Sequence, residues 1–472
     1  MKTWSIPFFI LVRAAPVALF ACLSLACSPP DHPSLLLVTI DTLRADHLSS
    51  YGYSRPTSPA IDRLARRGVL FDSVISSIPE TGPAFASLMT GLWPSRLGLR
   101  GNGKPLAPRF ETLAERLRST GYHTAAFVSG YPLVRRLSGL DQGFAHYDDR
   151  MPDPRGKVAG VQRLAEKTTA AFLAWLQQNR KGPFFVWLHY YDPHGNYAPG
   201  RAFESMFTGG PPGPNIPLDL IPAYQRWQGE TDAALFRARY DGEIRRVDAQ
   251  IERVLAALGA RDRLDSTLVV LTADHGESLV EHGYYFDHGN ELYMPSLHVP
   301  LILAGPGVPA DGRHVAGLAR TPDIMPTLLE LLHEPVPDSL AGTSLAADLR
   351  TGRPSQSREA FSEARFQAYR PLTPAADVGP KLSVRGERFS TILRLNGGEV
   401  ELYDRHADPL ELSDLLALST PSSETRELRE TLSARLRARL ARATRGGQPD
   451  EPVFSPYVVW RAKRLATLET RP

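Results

Sequence analysis

The stretch Leu35-Leu36-Leu37-Val38-Thr39-Ile40 is a short apolar run that leads directly into Asp41. Four more runs rich in β-branched or aromatic residues follow along the chain, at Thr124–Val128, Phe184–His189, Thr267–Thr272 and Val299–Leu303. Because these runs show no regular alternation with polar residues, they predict strands that are buried on both faces of a sheet.

Helical patterns with recognisable ends lie between these strands. One begins at Thr57-Ser58-Pro59 and ends at Gly68, and others cover Glu111–Ser119, Val161–Asn179 and Glu243–Leu258. The alternation of strands and helices predicts an α/β fold with a large, mostly parallel (mixed) sheet that is sandwiched by helices.

The composition changes along the chain, and this predicts four parts. They are an export signal at residues 1–27, a main domain at 28–354, a small C-terminal antiparallel α+β subdomain at 355–445 and a tail at 446–472. The subdomain contains short polar strands and then an Arg-rich helix, at Lys381–Val384, Phe389–Leu393, Glu399–Tyr403 and Ser422–Arg445. The Pro- and Gly-dense stretch Tyr197–Pro222 is predicted to be a long loop or lid without a core of its own.

The charge of the chain does not indicate a nucleic-acid partner. Its 472 residues carry a net charge of +3, and the basic residues are spread along the chain without a sustained run. The size and the hydrophobic fraction of 42 % are those of a globular protein with a large core.

The N-terminus has the outline of a bacterial export signal. Lys2 and Arg13 precede the apolar stretch Ala14–Ala26, which ends at Cys27, and the chain has no cysteine after this position. The ending Leu25-Ala26-Cys27 resembles a lipoprotein signal, so a lipid anchor and a location in the cell envelope are expected. Plain secretion to the periplasm, an uncleaved anchor and a buried apolar helix are the alternatives.

Acidic and histidine residues stand just after three of the predicted strands. They are Asp41, then Asp192 and His194 in one cluster, and Asp274 and His275 in another. Because the carboxyl ends of parallel strands meet at one edge of the sheet, these clusters can converge there. Carboxylate and imidazole together are a common ligand set for a divalent ion. Taken singly, each acidic residue could equally be a helix cap or a turn former.

A short helix is predicted between Pro83 at its first position and Gly91 at its end, which places Thr81 just before its N-terminus. Backbone N–H groups and the helix dipole favour a developing alkoxide and an oxyanion at that place. The alternative is that Thr81 only caps the helix.

Several blocks of the sequence resemble, in order, those of the sulfatase family in the alkaline phosphatase superfamily. The opening blocks are Thr39–Asp46, Tyr51-Gly52-Tyr53, Ala60–Ala65 and Ala86–Gly91. The later blocks are Asp192-Pro193-His194, Ala273–Glu277, Val299-Pro300-Leu301, Asp323–Leu329 and Glu401–Asp404. The resemblance covers residues 35–416 and implies the fold of that family.

The resemblance also implies roles for individual residues. Asp41, Asp274 and His275 match the metal ligands, and Thr81 matches the nucleophile that also touches the metal. Asn102 matches an asparagine that contacts the transferred group in related phosphodiesterases and phosphonate monoester hydrolases. The implied cofactor is one divalent ion, with Ca²⁺, Mn²⁺ and Zn²⁺ all compatible with the ligand set.

Two further histidines complete the implied site. His194 and His288 match positions at which the family places substrate-oxygen ligands or leaving-group acids. A second metal held by these two residues and Asp192, as in two-metal phosphodiesterases, is an open alternative.

The chain departs from the sulfatase pattern at several positions. Sulfatases place at Thr81 a Cys or Ser that is oxidised to formylglycine, and threonine cannot give that aldehyde. Phe85 stands where they have Arg, while Ser129 and Tyr131 stand where they have Lys and His. Thr42 replaces the second aspartate of their usual pair. No formylglycine is therefore expected.

The expected activity is that of a metal-dependent hydrolase or transferase of phosphoric or sulfuric esters, with phosphoester and phosphodiester chemistry favoured. A sulfatase without formylglycine and a non-catalytic binding protein on the same fold are the alternatives. Expected partners are a phosphorylated or sulfated small molecule, a glycan or an envelope polymer, and the membrane through the lipid anchor. The sequence makes no prediction of oligomeric state.

Three residues after the Asp274-His275 pair have helical spacing: Glu277, Glu281 and His282. A solvated helix face is the favoured interpretation, and support of the metal ligands is the alternative. His189 is interpreted as a core histidine that is hydrogen-bonded to a neighbouring strand.

Overall fold

The computed structural model describes residues 32–152, 161–179, 181–364, 379–395 and 399–417, together with residue 1 and five single positions between 423 and 434. The predicted export signal, apart from Met1, and the predicted tail lie outside the described residues. No helix in the described parts of the chain is long and apolar enough to cross a membrane.

Nine of the described strands form the main sheet, in the spatial order β4-β3-β5-β1-β6-β8-β2-β7, with β9 paired to β2. Their bounds are β1 Ser34–Ile40, β2 Val69–Ile75, β3 His123–Phe127, β4 His146–Asp148, β5 Phe184–Tyr190, β6 Thr267–Thr272, β7 His298–Val299, β8 Leu301–Ala304 and β9 Arg313–Arg320. Strands β4, β3, β5, β1 and β6 are parallel, and β8 runs antiparallel to both β6 and β2. The predicted fold class is confirmed.

Helices cover both faces of this sheet, so every residue of β1, β5 and β6 is buried. The helices are α1 Pro59–Arg66, α2 Thr81–Thr90, α3 Pro94–Leu97, α4 Leu113–Ser119, α5 Arg135–Ser138, α6 Ala165–Gln178, α7 Arg201–Glu204, α8 Ala233–Gly259, α9 Met294–Leu297, α10 Ile324–Leu331 and α11 Ala346–Thr351. Helix α8 begins well before the predicted Glu243, because the side chain of Asp232 caps it by accepting from the N–H of Ala234 at 2.8 Å.

The predicted strand Val299–Leu303 is divided at Pro300 into β7 and β8. Proline has no N–H to donate and therefore interrupts the ladder with β2. The hydroxyl of Tyr51 bridges the gap, since it accepts from the N–H of Leu301 at 2.8 Å and donates to the carbonyl of Phe71 at 3.1 Å.

A second, antiparallel sheet has the order β10-β11-β12-β13. Its strands are β10 Ala360–Ala364, β11 Lys381–Arg385, β12 Phe389–Arg394 and β13 Val400–Asp404. The last three match the strands predicted for the C-terminal subdomain, while β10 was not predicted. Of the predicted Arg-rich helix, the five described positions 423, 427, 430, 431 and 434 are helical and exposed, and the rest lies outside the described residues.

The predicted loop Tyr197–Pro222 is mostly irregular and contains the short helix α7. It is not separate from the core, however. Tyr197, Ile216 and Ile221 are buried in the main hydrophobic cluster of the domain. The loop is therefore anchored to the core at these three points.

Candidate active site

Asp41 and Asp274 lie beside each other because β1 and β6 are neighbouring parallel strands. Thr39 pairs with Thr272 in the register, and each aspartate follows two residues later along its own strand direction. Asp41, Asp274 and His275 are all buried, and each offers a ligand atom within 4.8 Å of the others. The convergence predicted for these strand ends is thus present.

The buried polar atoms of this group lack hydrogen-bond partners. These atoms are both carboxylate oxygens of Asp41, Oδ2 of Asp274, Nε2 of His275 and Oγ1 of Thr81. Buried polar groups are normally satisfied, and leaving several unsatisfied in one place is costly. A divalent cation among them would satisfy the oxygens and the nitrogen together, so the residues fit a metal ion.

Neighbouring backbone groups orient two of the candidate ligands. Oδ1 of Asp274 accepts from the N–H groups of Thr42 at 3.2 Å and His275 at 2.9 Å. Nδ1 of His275 faces the carbonyl of Gly276 at 2.9 Å and must donate to it, which leaves the lone pair on Nε2. Each side chain therefore directs its unsatisfied atom into the group.

The ionisation of these residues, when both carboxylates have lost their protons, also favours the binding of a cation. Burial raises the pKa of Asp41 well above its usual value, and the charges of Asp274 and Glu277 raise it further. Burial lowers the pKa of His275 to about 3, so its imidazole is neutral. Two carboxylates and a neutral imidazole have excess negative charge, which a divalent ion would neutralise.

Thr81 is the first residue of α2, with Glu80 at the N-cap, so the prediction that the helix begins at Pro83 is wrong. Proline is tolerated one turn into a helix because the first N–H groups have no acceptor within it. The Thr81 side chain makes no capping hydrogen bond and is only 1 % exposed. Its hydroxyl lies close enough to Asp41 to lower the pKa of that carboxyl, against the effect of burial.

Asn102 is tied to the residues on both sides of Thr81. Its Oδ1 accepts from the N–H of Gly82 at 2.7 Å, and its Nδ2 donates to Oε2 of Glu80 at 3.0 Å. A Cβ at position 82 would lie 3.0 Å from Oδ1 of Asn102, so glycine permits this approach. The amide is exposed and held beside the candidate nucleophile, although its contact with a substrate stays a prediction.

His194 lies between the rings of Tyr191 and Tyr224, at centroid distances of 4.3 and 5.9 Å. Its Nδ1 contacts the carbonyl of Gly195 at 2.9 Å and therefore donates to it. Tyr224 comes from the segment after the predicted lid and donates to Oδ1 of Asp287 at 2.8 Å. The rings of Tyr191 and Tyr224, which we call the aromatic wall, thus hold His194 in one orientation.

His288 connects this wall to the candidate metal ligands. Its ring centroid is 4.9 Å from that of His194 and 4.4 Å from that of His275. The three histidines of the predicted site, His194, His275 and His288, are therefore adjacent. Their catalytic and ligand roles stay predictions.

Glu277 is not on a solvated helix face, so that interpretation is wrong. It is fully buried and outside any helix, and it accepts from Nδ1 of His288 at 3.0 Å and from the hydroxyl of Tyr197 at 3.2 Å. The preceding Gly276 packs so closely against the carbonyl of Pro295 that a Cβ would lie 2.0 Å from that oxygen. This contact holds the segment inside the domain and prevents it from forming a surface helix.

Glu281 and His282 belong to a single 3-10 turn, Glu281–Gly283, and not to an extended helix. Glu281 forms an ion pair of 2.9 Å with the buried Arg44. His282 stacks on the ring of Tyr293 at 3.5 Å between centroids. Both residues therefore have structural partners in the domain.

Asp192, which could share a second metal with His194 and His288, has one carboxylate oxygen held by contacts outside that group. Its Oδ1 accepts from the N–H of Ala165 at the start of α6 at 3.0 Å and lies 3.8 Å from Nε of Arg246. In the described parts of the chain, Asp41, Asp274 and His275 form the one acid and histidine group arranged to hold a metal. The structure thus does not support the second site.

Comparisons with known proteins agree with this geometry. The sulfatase family matches residues 33–334, and the family described as N-sulphoglucosamine sulphohydrolase, C-terminal, matches residues 280–440. The Delta 4,5-hexuronate-2-O-sulfatase of Bacteroides thetaiotaomicron is 27 % identical over 83 % of this chain and 86 % of the relative.

Relatives named for other chemistry also match. The multifunctional alkaline phosphatase superfamily protein PehA of Trinickia caryophylli is 27 % identical over 69 % of this chain and 78 % of its own length. The crystal structure of the phosphonate monoester hydrolase of Agrobacterium radiobacter superposes with a TM-score of 0.70 and 25 % identity, over 86 % of this chain and 95 % of that one. The chain therefore belongs to the sulfatase family of the alkaline phosphatase superfamily and is a hydrolase of sulfuric or phosphoric esters.

Proposed function

We propose that the chain cleaves phosphate esters, with phosphodiesters favoured, through a covalent intermediate on Thr81. The observation that carries this proposal is the buried Thr81 hydroxyl. It has no hydrogen-bond partner and lies at a helix N-terminus beside Asp41. An oxygen in this position is suited to attack an ester held in front of the helix.

The identity of the nucleophile favours phosphorus over sulfur. A sulfated formylglycine hydrate can expel sulfate with its second hydroxyl, so that water need not attack sulfur. Threonine has no second hydroxyl, and a threonine sulfate would require direct attack at sulfur. A threonine phosphate can be resolved by in-line attack of water on phosphorus.

The charge of the site favours a diester over a monoester. Phe85 and Ser129 are uncharged where the sulfatase pattern has Arg and Lys, while Asp41, Asp274 and Glu277 supply negative charge. A phosphodiester carries one negative charge, whereas a phosphate monoester carries nearly two at neutral pH. Because two cations are missing, the site has less positive charge to bind the second negative charge.

The reaction can be written with the residues of the chain. Oγ1 of Thr81 loses its proton to solvent and attacks phosphorus, the bond from phosphorus to the leaving oxygen breaks, and a protonated His194 or His288 gives a proton to that oxygen. Water then gives a proton to the same histidine and attacks phosphorus, and the expelled Oγ1 takes a proton from solvent. Asn102 and the N–H groups at the start of α2 receive charge on the remaining phosphate oxygens. A divalent ion on Asp41, Asp274 and His275 supplies positive charge that favours the ionised hydroxyl.

A sulfatase without formylglycine is the second candidate, and the sulfatase named among the relatives favours it. The phosphonate monoester hydrolase and the multifunctional PehA support the phosphorus chemistry. For the organic part of the substrate we propose a glycan or an envelope polymer, because a relative is named for a hexuronate. The aromatic wall around His194 could pack against a sugar ring.

The proposed intermediate can be trapped. The protein is mixed with bis-p-nitrophenyl phosphate, quenched in acid and digested, and the peptide that contains Thr81 is examined by mass spectrometry. We expect a p-nitrophenyl phosphoryl group on Thr81 and release of one p-nitrophenol before steady turnover. Turnover with no modified peptide, and with no burst, would refute a Thr81 intermediate.

We also propose that the protein resides in the cell envelope, attached through a lipid on Cys27. The support for this proposal is the sequence of residues 1–27 alone. An envelope location would give the protein access to the proposed polymeric substrates.

A further inference from the structure

His189 is a fully buried histidine of β5 that lies next to the candidate metal ligands without belonging to them. It pairs with Thr39 of β1, two residues before Asp41. Its Nε2 lies 3.4 Å from Oδ2 of Asp41, and neither atom has a hydrogen-bond partner of normal geometry. The histidine therefore faces the one candidate ligand whose two oxygens are both unsatisfied.

The other ring nitrogen fixes the tautomer of His189. The backbone N–H of Ser129 lies 3.3 Å from Nδ1. A backbone N–H can only donate, so Nδ1 must be the acceptor and the ring proton must be on Nε2. A proton on Nδ1 would place two donors face to face. Nε2 thus has a hydrogen to donate to Asp41 and no lone pair for a metal.

We propose that His189 is a positioning residue of the metal site, which donates its Nε2–H to Oδ2 of Asp41 and so fixes the rotation of that carboxylate. Hydrogen bonds of this kind from outside the ligand set orient ligands and contribute to metal affinity. The inference rests on the metal site of the proposed function, but not on the kind of ester that is cleaved.

The surroundings of His189 hold its ring in this orientation. Phe85 packs edge-on against the ring at 5.2 Å and 86°, and Trp187 packs at 6.0 Å. The hydroxyl of Ser129 donates to the carbonyl of His189 at 2.7 Å. Immobilised side chains of this kind are needed to hold a ligand in one geometry.

Two of these neighbours are among the residues at which the chain departs from the sulfatase pattern. Phe85 and Ser129 stand at the positions of an Arg and a Lys, and both contact the same imidazole. Phe85 contributes its ring and Ser129 its backbone N–H, so the surroundings of the imidazole are buried and uncharged on these two sides.

Two substitutions separate the two ends of the ring. In His189→Asn, the amide oxygen can reach the place of Nδ1 and accept from Ser129, but no donor reaches the place of Nε2. In His189→Gln, the amide nitrogen reaches the place of Nε2 and can donate to Asp41. His123→Asn, at an exposed position at the start of β3, is the matched control.

The readout is the dissociation constant for Mn²⁺, measured by calorimetry on EDTA-treated protein with Tm as the test of folding. We expect His189→Asn to bind Mn²⁺ about 10–100-fold more weakly than wild type. His189→Gln and His123→Asn should retain the wild-type constant. Equal weakening in the Asn and Gln variants, or none in a folded His189→Asn, would overturn the proposal.

A measurement on the wild-type protein avoids dependence on the folding of any variant. In metal-free, ¹⁵N-histidine-labelled protein, two-bond ¹H–¹⁵N correlations distinguish the two imidazole tautomers. We expect the proton of His189 on Nε2, and a proton on Nδ1 would contradict the inference. Neither experiment uses an ester, so an error in the proposed substrate would leave both results unaffected.

Discussion

Oε1 of Glu277 accepts a hydrogen bond from Nδ1 of His288 at 3.0 Å, and both side chains are buried. The carboxylate sets the tautomer of the imidazole and stabilises its protonated form. Nε2 is then the nitrogen left for the proton transfer that we propose. A glutamate that the sequence pattern assigned to a solvated surface thus becomes part of the candidate proton-transfer machinery.

We expect Glu277→Gln to slow the cleavage of esters with poor leaving groups. The amide oxygen can still accept from His288, but it carries no charge to stabilise the imidazolium. For an alkyl p-nitrophenyl phosphodiester losing p-nitrophenol the effect should be small, whereas loss of an alkoxide should slow by about 10²-fold. The measurement is kcat for a series of leaving groups.

The control for this prediction is Glu281→Gln, because Glu281 pairs with the buried Arg44. That variant should lower Tm and leave the dependence of kcat on the leaving group unchanged. If Glu277→Gln slows all leaving groups by the same factor, His288 is not their proton donor.

Thr81→Ala should abolish ester cleavage while the protein still folds. Removing a nucleophile typically costs about 10³-fold or more in kcat. Thr81→Ser keeps a hydroxyl at the start of α2 and should retain a measurable part of the activity. Thr90→Ala makes the same change at the other end of the same helix, where the hydroxyl bonds to the carbonyl of Ala86 at 2.6 Å. Thr90→Ala should lower Tm and leave the activity unchanged. If the Thr81→Ala protein were active, the nucleophile would be a different residue.

In the metal-free protein, Asp41 should contribute a stability that falls as pH rises. The pKa of Asp41 is raised above its ordinary value of 3.8 in the fold. As pH rises, the unfolded chain therefore loses the proton of Asp41 before the folded protein does. The contribution of Asp41 to the free energy of unfolding is complete below pH 3.8 and is lost as pH rises through the raised pKa of the folded protein. The slope is at most about 1.4 kcal/mol per pH unit for this group.

Asp41→Asn removes this slope, so it should stabilise the metal-free protein relative to wild type, increasingly as pH rises from 4. His275, with its pKa lowered to about 3, contributes the opposite slope below its ordinary value of 6.5. That contribution is present in both proteins and cancels in the difference. Mn²⁺ should raise the Tm of wild type alone. If Tm of metal-free wild type and metal-free Asp41→Asn changed with pH in parallel, this account of Asp41 would be contradicted.

Cys27→Ala should change where the protein is found. If Cys27 carries the lipid, the wild-type protein fractionates with membranes and dissolves in detergent. The variant should appear as a soluble or unprocessed form. Membrane association that is unaffected by the substitution would refute the lipid anchor, and a full-length cytoplasmic protein would refute export.

The sequence predicted the metal group because its members follow buried apolar runs within three residues. The carboxyl ends of parallel strands lie at one edge of a sheet. Once β1 and β6 were identified as strands, Asp41 and Asp274 could therefore be placed at the same edge. The pairing of Thr39 with Thr272, which makes these strands neighbours, is a tertiary fact. The family resemblance supplied the expectation that the two belong together.

The failures have tertiary causes. Glu277, Glu281 and His282 have helical spacing, and no local signal reveals that Gly276 is pressed against the carbonyl of Pro295. The start of α2 was misplaced because proline, although most common at the first helical position, is also tolerated later in the first turn, and here it is the third residue. The role of His189 depends on its contacts with Ser129 and Asp41, which lie on different strands or loops.

The most direct test of the central claim is a comparison of kcat/KM for bis-p-nitrophenyl phosphate, p-nitrophenyl phosphate and p-nitrophenyl sulfate on protein loaded with Mn²⁺, Zn²⁺ or Ca²⁺. We predict the highest value for the phosphodiester and the lowest for the sulfate, and each tenfold preference represents about 1.4 kcal/mol of transition-state stabilisation. Thr81→Ala should remove all three activities. A clear preference for the sulfate ester that is lost in Thr81→Ala would contradict the account and identify a sulfatase that works without formylglycine.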